Sequence, residues 1–333
     1  MGCTVIVDGF YGDTGKGKVV SYLSVKDEAA VCARAGVGPN AGHTVVRDGV
    51  YYKLRMVPCG FVNPKALQLI GPGVLVNPEI VLKEIAETGI GDRFGIDPMC
   101  AVIEPRHIAI DQSDSNLKDV VKTTGTGTGP CNADRVMRVA KLARDIPELK
   151  KYLTDVPAVV NKALDEERPV IIEGTQGTFI SLYFGEYPYV TSKDVCASAA
   201  CSDVGVGPTR VDEVILVLKS YVTRVGGGLL DGEISHEEAK KRGWDEYGTV
   251  TGRPRRAAPF NYALAKRAAM INGATQIAVT KLDVLFPNAK GCRSYEELET
   301  EARAFIRKIE EEVNIPVTLI GTGQDVDEVI DRR

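Results

Sequence analysis

Apolar residues along this chain fall into two kinds of run. Short continuous stretches at Thr4–Val7, Ala101–Ile103, Pro169–Ile172, Val214–Leu218, Ile277–Thr280 and Val317–Ile320 have the look of buried strands. Stretches with helical spacing occur at Glu79–Ala86, Arg135–Ala143, Asp155–Glu166, Pro259–Ile271, Tyr295–Glu312 and Asp325–Ile330. The two kinds are mixed along the sequence. That predicts an α/β architecture: a single large domain over residues 1–333, with a mainly parallel central sheet flanked by helices. Polar, glycine-rich stretches interrupt the pattern at 34–44, 123–131, 173–178, 185–208, 224–232 and 247–256. None has the composition of a flexible linker. Each carries groups able to hold a ligand, so they are expected to be ordered binding loops. There is no internal repeat and no low-complexity segment.

Composition narrows the partners. Lys and Arg total 41 against 45 Asp and Glu, a net charge of −4. No bulk basic field is available for nucleic acid or an anionic membrane, and only 6% of residues are aromatic. Anion binding must come from local clusters. Eight cysteines are scattered without a CxxC pair, which predicts reduced, mostly buried thiols, no zinc site and a cytoplasmic location. No apolar run reaches membrane-spanning length, and no charged region precedes an apolar stretch at the start. Met1-Gly2 is not followed by the Ser/Thr that myristoylation needs, since that position is Ile6.

The densest chemistry lies at Gly12-Asp13-Thr14-Gly15-Lys16-Gly17-Lys18, directly after the first apolar run and before the helix-like Lys18–Leu23. Strand, glycine-rich turn, helix is the order that builds a phosphate cradle. The loop is related to a P-loop but is not a Walker A: five residues separate Gly9 from Gly15, and Gly17 stands where Ser or Thr would hold magnesium. Asp13 puts a carboxylate among phosphate-binding amides, which calls for a metal ion or a proton-transfer role.

Thr280-Lys281-Leu282-Asp283 closes a strand-like run. Its carboxylate suits the two donors on guanine, and a site built that way rejects adenine by roughly 10⁴-fold. Gly38-Pro39-Asn40-Ala41-Gly42-His43-Thr44 carries one of three histidines, placed to donate to a developing anion or deliver a proton. His107 and His236 read as structural. Thr123–Pro130 alternates hydroxyls and glycines ahead of Arg135 and Arg138, a second anion nest. Thr249-Val250-Thr251-Gly252-Arg253-Pro254-Arg255-Arg256 packs three arginines into four residues, suited to a carboxylate or phosphate. Glu173–Thr178 and Tyr187–Ser192 add amides and hydroxyls for a neutral base or a sugar. Three or four anion sites imply a triphosphate held together with a second anionic substrate.

Taken in order from Gly9 to about Gly323, these segments closely resemble the adenylosuccinate synthetase family, in its compact archaeal form. The resemblance implies that GTP, IMP and L-aspartate give GDP, phosphate and adenylosuccinate with Mg²⁺, through a 6-phosphoryl intermediate, in a homodimer. By position, Asp13 matches the base for the IMP N1 proton and a Mg²⁺ ligand, with the Gly42 carbonyl as the second ligand. His43 matches the acid at O6, and Lys16 joins them in catalysis. GTP would meet Gly12, Gly15, Lys16, Gly17, Lys18, Gly42, Thr44, Lys281, Asp283, Gly321 and Gly323. IMP would meet Asn40, Thr124, Gln176, Thr191, Val225 and Arg253, with Arg138 reaching the partner subunit's IMP. Aspartate would meet Thr251 and Arg255. The chain departs from the family pattern at Tyr11 and Thr14, in place of Trp and Glu, and at Phe10 in place of Gln. It departs again at Thr126, in place of an aspartate-binding Arg, and at Gly321, in place of Ser. A GTP-binding regulatory switch, or a same-fold ligase for another amine or nucleotide, are the other readings. The first leaves Arg253–Arg256, Gln176 and the Gly42-His43 pair without a task.

Overall fold

The computed structural model describes residues 2–248 and 252–333. Nine strands form its main sheet: β1 (Cys3–Asp8), β2 (Val31–Arg34), β3 (Leu67–Ile70), β4 (Phe94–Ile96), β5 (Val170–Glu173), β6 (Val211–Lys219), β7 (Gln276–Thr280), β8 (Val317–Gly321) and β9 (Val329–Asp331). Their order is β9-β8-β7-β6-β1-β5-β2-β3-β4. All neighbours run parallel except the edge pair β8 and β9. The expected α/β fold with a mainly parallel sheet is therefore what forms.

Both faces of the sheet are buried, and the two-residue period of the strands shows it. Val5, Val7, Ala33, Ile172, Leu216, Leu218 and Val279 face one core. The residues between them, Ile6, Cys32, Ile171, Ile215, Val217 and Ala278, face the other. Helices Val156–Asp165, Ala197–Val204, Tyr262–Asn272 and Thr300–Val313 cover the first face. Helices Lys16–Lys26 and Pro78–Thr88 cover the second.

The differences from the sequence reading have physical causes. Ala101–Val102 pairs with Leu75–Val76 outside the main sheet. The helix expected from Arg135 instead runs Thr128–Met137 and stops where Arg138 turns left-handed, at φ 64°. The apolar spacing of Val136, Met137 and Val139 belongs to an exposed patch, each being 64–69% accessible, and not to a core-facing stripe. The segment expected as a helix at Asp325–Ile330 holds a turn and the edge strand β9, whose Val329 and Ile330 pack with the sheet. All eight cysteines are unbonded thiols, seven of them buried. Among the described residues no helix is long and apolar enough to cross a membrane.

What matters for function is the carboxyl edge of the parallel strands, where doubly wound sheets bind their ligands. Here β1, β2, β5 and β6 each end in a buried ionisable residue, Asp8, Arg34, Glu173 and Lys219, and β7 ends at Thr280 before Lys281.

Candidate active site

Asp8 folds the phosphate loop. Its Oδ1 accepts from the amides of Phe10 (2.9 Å) and Gly12 (3.2 Å). Its Oδ2 accepts from the Thr14 amide (3.2 Å), the Thr14 hydroxyl (2.6 Å) and Lys16 Nζ (3.2 Å). Gly12, Asp13 and Gly15 all take positive φ (92°, 60° and 84°), so the amides of the loop turn inward as a nest leading into helix Lys16–Lys26. Gly17 explains its own identity. A Cβ there would stand 3.0 Å from Cys59 Sγ, 3.2 Å from the Thr44 carbonyl and 3.3 Å from His43 Cβ. The helix start is pressed against the hairpin His43–Arg47/Val50–Leu54, and a Ser or Thr would need these neighbours to give way.

His43 is thereby held over the first turn of that helix. Its Nδ1 donates to Glu173 Oε1 in a short hydrogen bond, and Arg34 Nη1 donates to the same oxygen at 3.0 Å. The other carboxylate oxygen accepts from the Cys59 amide at 2.6 Å. Burial lowers the His43 pKa to about 4; Arg34 adds to the lowering and Glu173 opposes it. Burial alone would raise the Glu173 pKa, but His43, Arg34 and the Cys59 amide outweigh it and hold the carboxyl low. With Nδ1 committed, Nε2 is the free position, and it is buried without a partner.

On the β7 side, Lys281 sits at φ 55° and its Nζ reaches Glu246 Oε1 at 2.6 Å. Thr280 Oγ1 donates to the Thr14 carbonyl, tying this strand end to the phosphate loop. Lys18 Nζ donates to the Gly323 and Glu328 carbonyls, both at 2.7 Å, and lies 3.7 Å from where a Gly321 Cβ would be. Burial lowers its pKa to about 8. Burial raises the pKa of Asp283 beside it. Arg255 spans two acids: Nη2 lies 3.0 Å from Asp13 Oδ2, and Nη1 donates to Glu246 Oε2. Burial raises the Asp13 pKa against the opposing pull of Arg255.

Gln176 links the phosphate loop to a polar wall. Its carbonyl accepts from Lys16 Nζ at 2.7 Å, and its Nε2 donates to Asn40 Oδ1 at 2.9 Å. Asn40 Nδ2 donates in turn to Thr191 Oγ1 at 3.3 Å. Asp111, buried, fastens the second nest by accepting from Thr123 Oγ1 and the Gly127 amide, both at 2.7 Å. Thr124 and Thr126 share a 2.9 Å hydrogen bond there, and Arg253 donates to the Lys122 carbonyl at 2.8 Å and the Thr123 carbonyl at 3.2 Å.

The adenylosuccinate synthetase family model matches residues 5–148 and 139–290. The chain belongs to the adenylosuccinate synthetase family. An adenylosuccinate synthetase of Archaeoglobus fulgidus is 54% identical over 333 residues, covering 100% of this chain and 99% of the relative. One from Methanosphaera stadtmanae is 52% identical, covering 100% and 98%. Two solved structures share the fold at 24% identity. A fully ligated adenylosuccinate synthetase from Plasmodium falciparum has TM-score 0.91 over 99% of both chains. A cyanophage S-2L succinoaminodeoxyadenylate synthetase, bound to dGMP and to dATP as energy donor, has TM-score 0.83 over 99% of this chain and 95% of that one.

Against this family background, most of the expected residues gather at the carboxyl edge. Gly12, Asp13, Gly15, Lys16, Gly17, Gly42, His43 and Thr44 meet around the helix start; Lys18, Lys281, Asp283, Gly321 and Gly323 cluster beside it. Asn40, Gln176 and Thr191 share one hydrogen-bond chain, and Thr124 and Arg253 meet at the second nest. Val225 follows the strand Tyr221–Arg224, and two residues on Gly227 packs on Tyr189, beside Thr191. Arg138 stands apart, exposed at its helix end. Thr251 lies outside the described residues. Members of the family use a metal cofactor. The Asp13 carboxylate, 27% exposed, and the Gly42 carbonyl are oxygen donors of the kind a hard cation takes, with one Asp13 oxygen 3.0 Å from Arg255 Nη2 and the other not paired with it. His43, Cys59 and Glu173 also bring three possible ligand atoms within 4.8 Å. That set does not suit a cation, because the Arg34 guanidinium sits among them and the Glu173 oxygens are already bonded.

Sequence reading missed the acids and bases that organise the site: Asp8, Arg34, Glu173, Lys219 and Glu246. Four of the five share a legible signal, an ionisable residue closing an apolar strand run.

Proposed function

We propose a division of labour for the family's GTP-dependent joining of L-aspartate to IMP. The observation that carries it is the buried, unpartnered Nε2 of His43, held at the N-terminus of the phosphate-loop helix. A buried polar atom without a partner costs free energy unless a ligand completes it. A phosphoryl oxygen brought by the loop is the group that would.

Asp13 takes the N1 proton of IMP; its burial-raised pKa favours a base over a permanently ionised acid. O6 then becomes the acceptor of the GTP γ-phosphoryl. His43, charged by the approach of that anion, donates from Nε2 to the group in transfer while Glu173 fixes the ring through Nδ1. Lys16 leaves its internal partners, Asp8 and the Gln176 carbonyl, or shares them with the phosphates. The aspartate amine displaces phosphate from C6, its carboxylates held by Arg255 and Thr251. Asp13 and the Gly42 carbonyl would hold the metal, taken here as Mg²⁺, and the chemistry it would supply is neutralisation of phosphate charge. Lys281 and Asp283 select guanine. The expected homodimer is supported by the exposed Val136, Met137 and Val139 around Arg138, an apolar patch that a second subunit would cover.

The test is one assay: the purified chain with Mg²⁺, GTP, IMP and L-aspartate, following the purine absorbance change and released phosphate, each component omitted in turn. Adenylosuccinate only with all four, and not with ATP for GTP, supports the reading. Phosphate release without IMP or aspartate returns it to a GTPase switch. Turnover with dGMP and dATP instead would align it with the cyanophage relative.

A further inference from the structure

Glu246 has no task in the scheme above, yet it is one of the most heavily engaged side chains in the molecule. Its carboxylate is nine-tenths buried, with 9% of the side chain accessible. Oε1 accepts from Lys281 Nζ at 2.6 Å and from the Tyr221 hydroxyl. Oε2 accepts from Lys219 Nζ at 3.1 Å and from Arg255 Nη1. Each oxygen thus serves one side. Oε1 holds the lysine assigned to guanine, and Oε2 holds the arginine assigned to aspartate, which in turn touches Asp13.

The anchors are rigid. Lys219 is 1% exposed at the end of β6 and is further tied to the Thr223 hydroxyl. Tyr221 stacks on Trp244 with ring centroids 4.8 Å apart and planes 3° from parallel, fixing the chain two residues before Glu246. The Arg255 amide donates to the Glu246 carbonyl at 2.8 Å, so backbone and side chain of the two residues are both paired. Three cations meet on one carboxylate. Without its charge, Lys219, Lys281 and Arg255 would repel one another, and the exposed one, Lys281, would swing away.

We infer that Glu246 is a positioning residue that sets the guanine-binding Lys281 and the aspartate-binding Arg255 through a single carboxylate, coupling the two substrate sites. This rests on the assignment of those sites in the proposed function.

The test is steady-state kinetics of Glu246→Gln and Glu246→Asp against the wild type, each substrate varied in turn. For Glu246→Gln, KM for GTP and KM for aspartate should rise together by about tenfold each, while KM for IMP stays within about twofold. Glu246→Asp, which keeps the charge, should recover part of both. A merely structural role would lower the amount of active enzyme and leave all three KM values alone. That pattern overturns the inference, as does a change confined to one of the two substrates or an equal change in all three. Should Glu246→Gln not fold, Lys281→Met keeps the question open to measurement. Losing the Oε1 partner should raise KM for aspartate, which Lys281 does not touch, and an unchanged value overturns the coupling. Wild-type protein that makes no adenylosuccinate would sink the underlying site assignment instead, a result distinct from every outcome above.

Discussion

Glu173 closes β5 and meets one arginine, one imidazole and one backbone amide; Glu246 lies in a loop and meets two lysines, an arginine and a phenol. Both are buried at the carboxyl edge of the same sheet. Around Glu173 the charges balance, one cation to one carboxylate, and the partners ride on a neighbouring strand, on the hairpin packed against the first helix and on the short turn Cys59–Val62 that follows it. Around Glu246 three cations face two carboxylates, its own and that of Asp13. In the first cluster the Glu173 carboxylate has all its partners within the chain, and only the outward Nε2 of His43 is left for a ligand. The second carries surplus positive charge, which suits anionic ligands. One of the side chains proposed as catalytic hangs from each: His43 from Glu173, and Asp13, through Arg255, from Glu246.

The comparison breaks most visibly if the two side chains proposed as catalytic do not matter alike. His43→Asn and Asp13→Asn should each lower kcat by about 10²–10⁴-fold, typical for loss of an acid or base, with KM values changing far less. Equal kcat with raised KM would show that either residue only binds substrate. Next in size comes stability. Glu173→Gln strands Arg34, which is fully buried and cannot shed its proton, so urea unfolding should show a loss of about 3–5 kcal/mol. Glu246→Gln should cost only about 1–2 kcal/mol, because Lys281 can turn into water and a buried lysine, unlike an arginine, can release its proton. A larger loss for Glu246→Gln than for Glu173→Gln would invert the contrast between balanced and unbalanced clusters.

The balanced cluster also predicts an acid response. His43 is buried neutral, its pKa lowered from 6.5 to about 4. The unfolded chain therefore takes up a proton between those values that the fold refuses, and stability falls as pH drops from about 6.5 toward 4. Glu173, held low, gives a loss of the same sign at pH below its ordinary range. Thermal melts should show Tm falling across pH 6.5 to 4 as stability drops by on the order of 3 kcal/mol, and His43→Asn should flatten that slope. Unchanged slopes in the variant would mean that His43 is not the group responsible.

How much of this was legible in the sequence follows from the same contrast. The phosphate loop is local: Gly12 to Lys18 lie within seven residues after an apolar strand, and glycines that must take positive φ announce themselves. Thr280-Lys281 is legible for the same reason. The Glu173 cluster was half visible, since Arg34 and Glu173 end apolar runs, a cue that marks the edge of a sheet but not which residues meet across it. The Glu246 cluster was invisible. Its partners lie at positions 219, 221, 255 and 281, and nothing in Trp244-Asp245-Glu246-Tyr247 separates Glu246 from its neighbour. Periodicity misled where it measured a surface. The spacing around Arg138 that looked like a buried helix face is an exposed apolar patch, and a strand as short as Phe94–Ile96 leaves too few residues for any period to register.

The smallest predicted effect bears on the departure of Thr14 from the family's glutamate. Asp8, at the end of β1, collects five donors, and the Thr14 hydroxyl is one of them, at 2.6 Å and buried. The loop therefore keeps a carboxylate beside Lys16, placed on the strand instead of inside the turn. Thr14→Ala removes one donor and leaves Asp8 its three amides and Lys16, so no charge is left unpaired. The loss should be about 1 kcal/mol in urea unfolding, the worth of one hydrogen bond, with kcat nearly unchanged. Asp8→Asn is the counterpart. It removes the charge that Lys16 answers and keeps only one of the two acceptor oxygens, losing either the Phe10 and Gly12 amides or the Thr14 amide and hydroxyl, so it should cost more stability than Thr14→Ala and raise KM for GTP. If Thr14→Ala proved the more damaging of the two, the organising group of the loop would be the threonine, and Asp8 would be no more than the end of a strand.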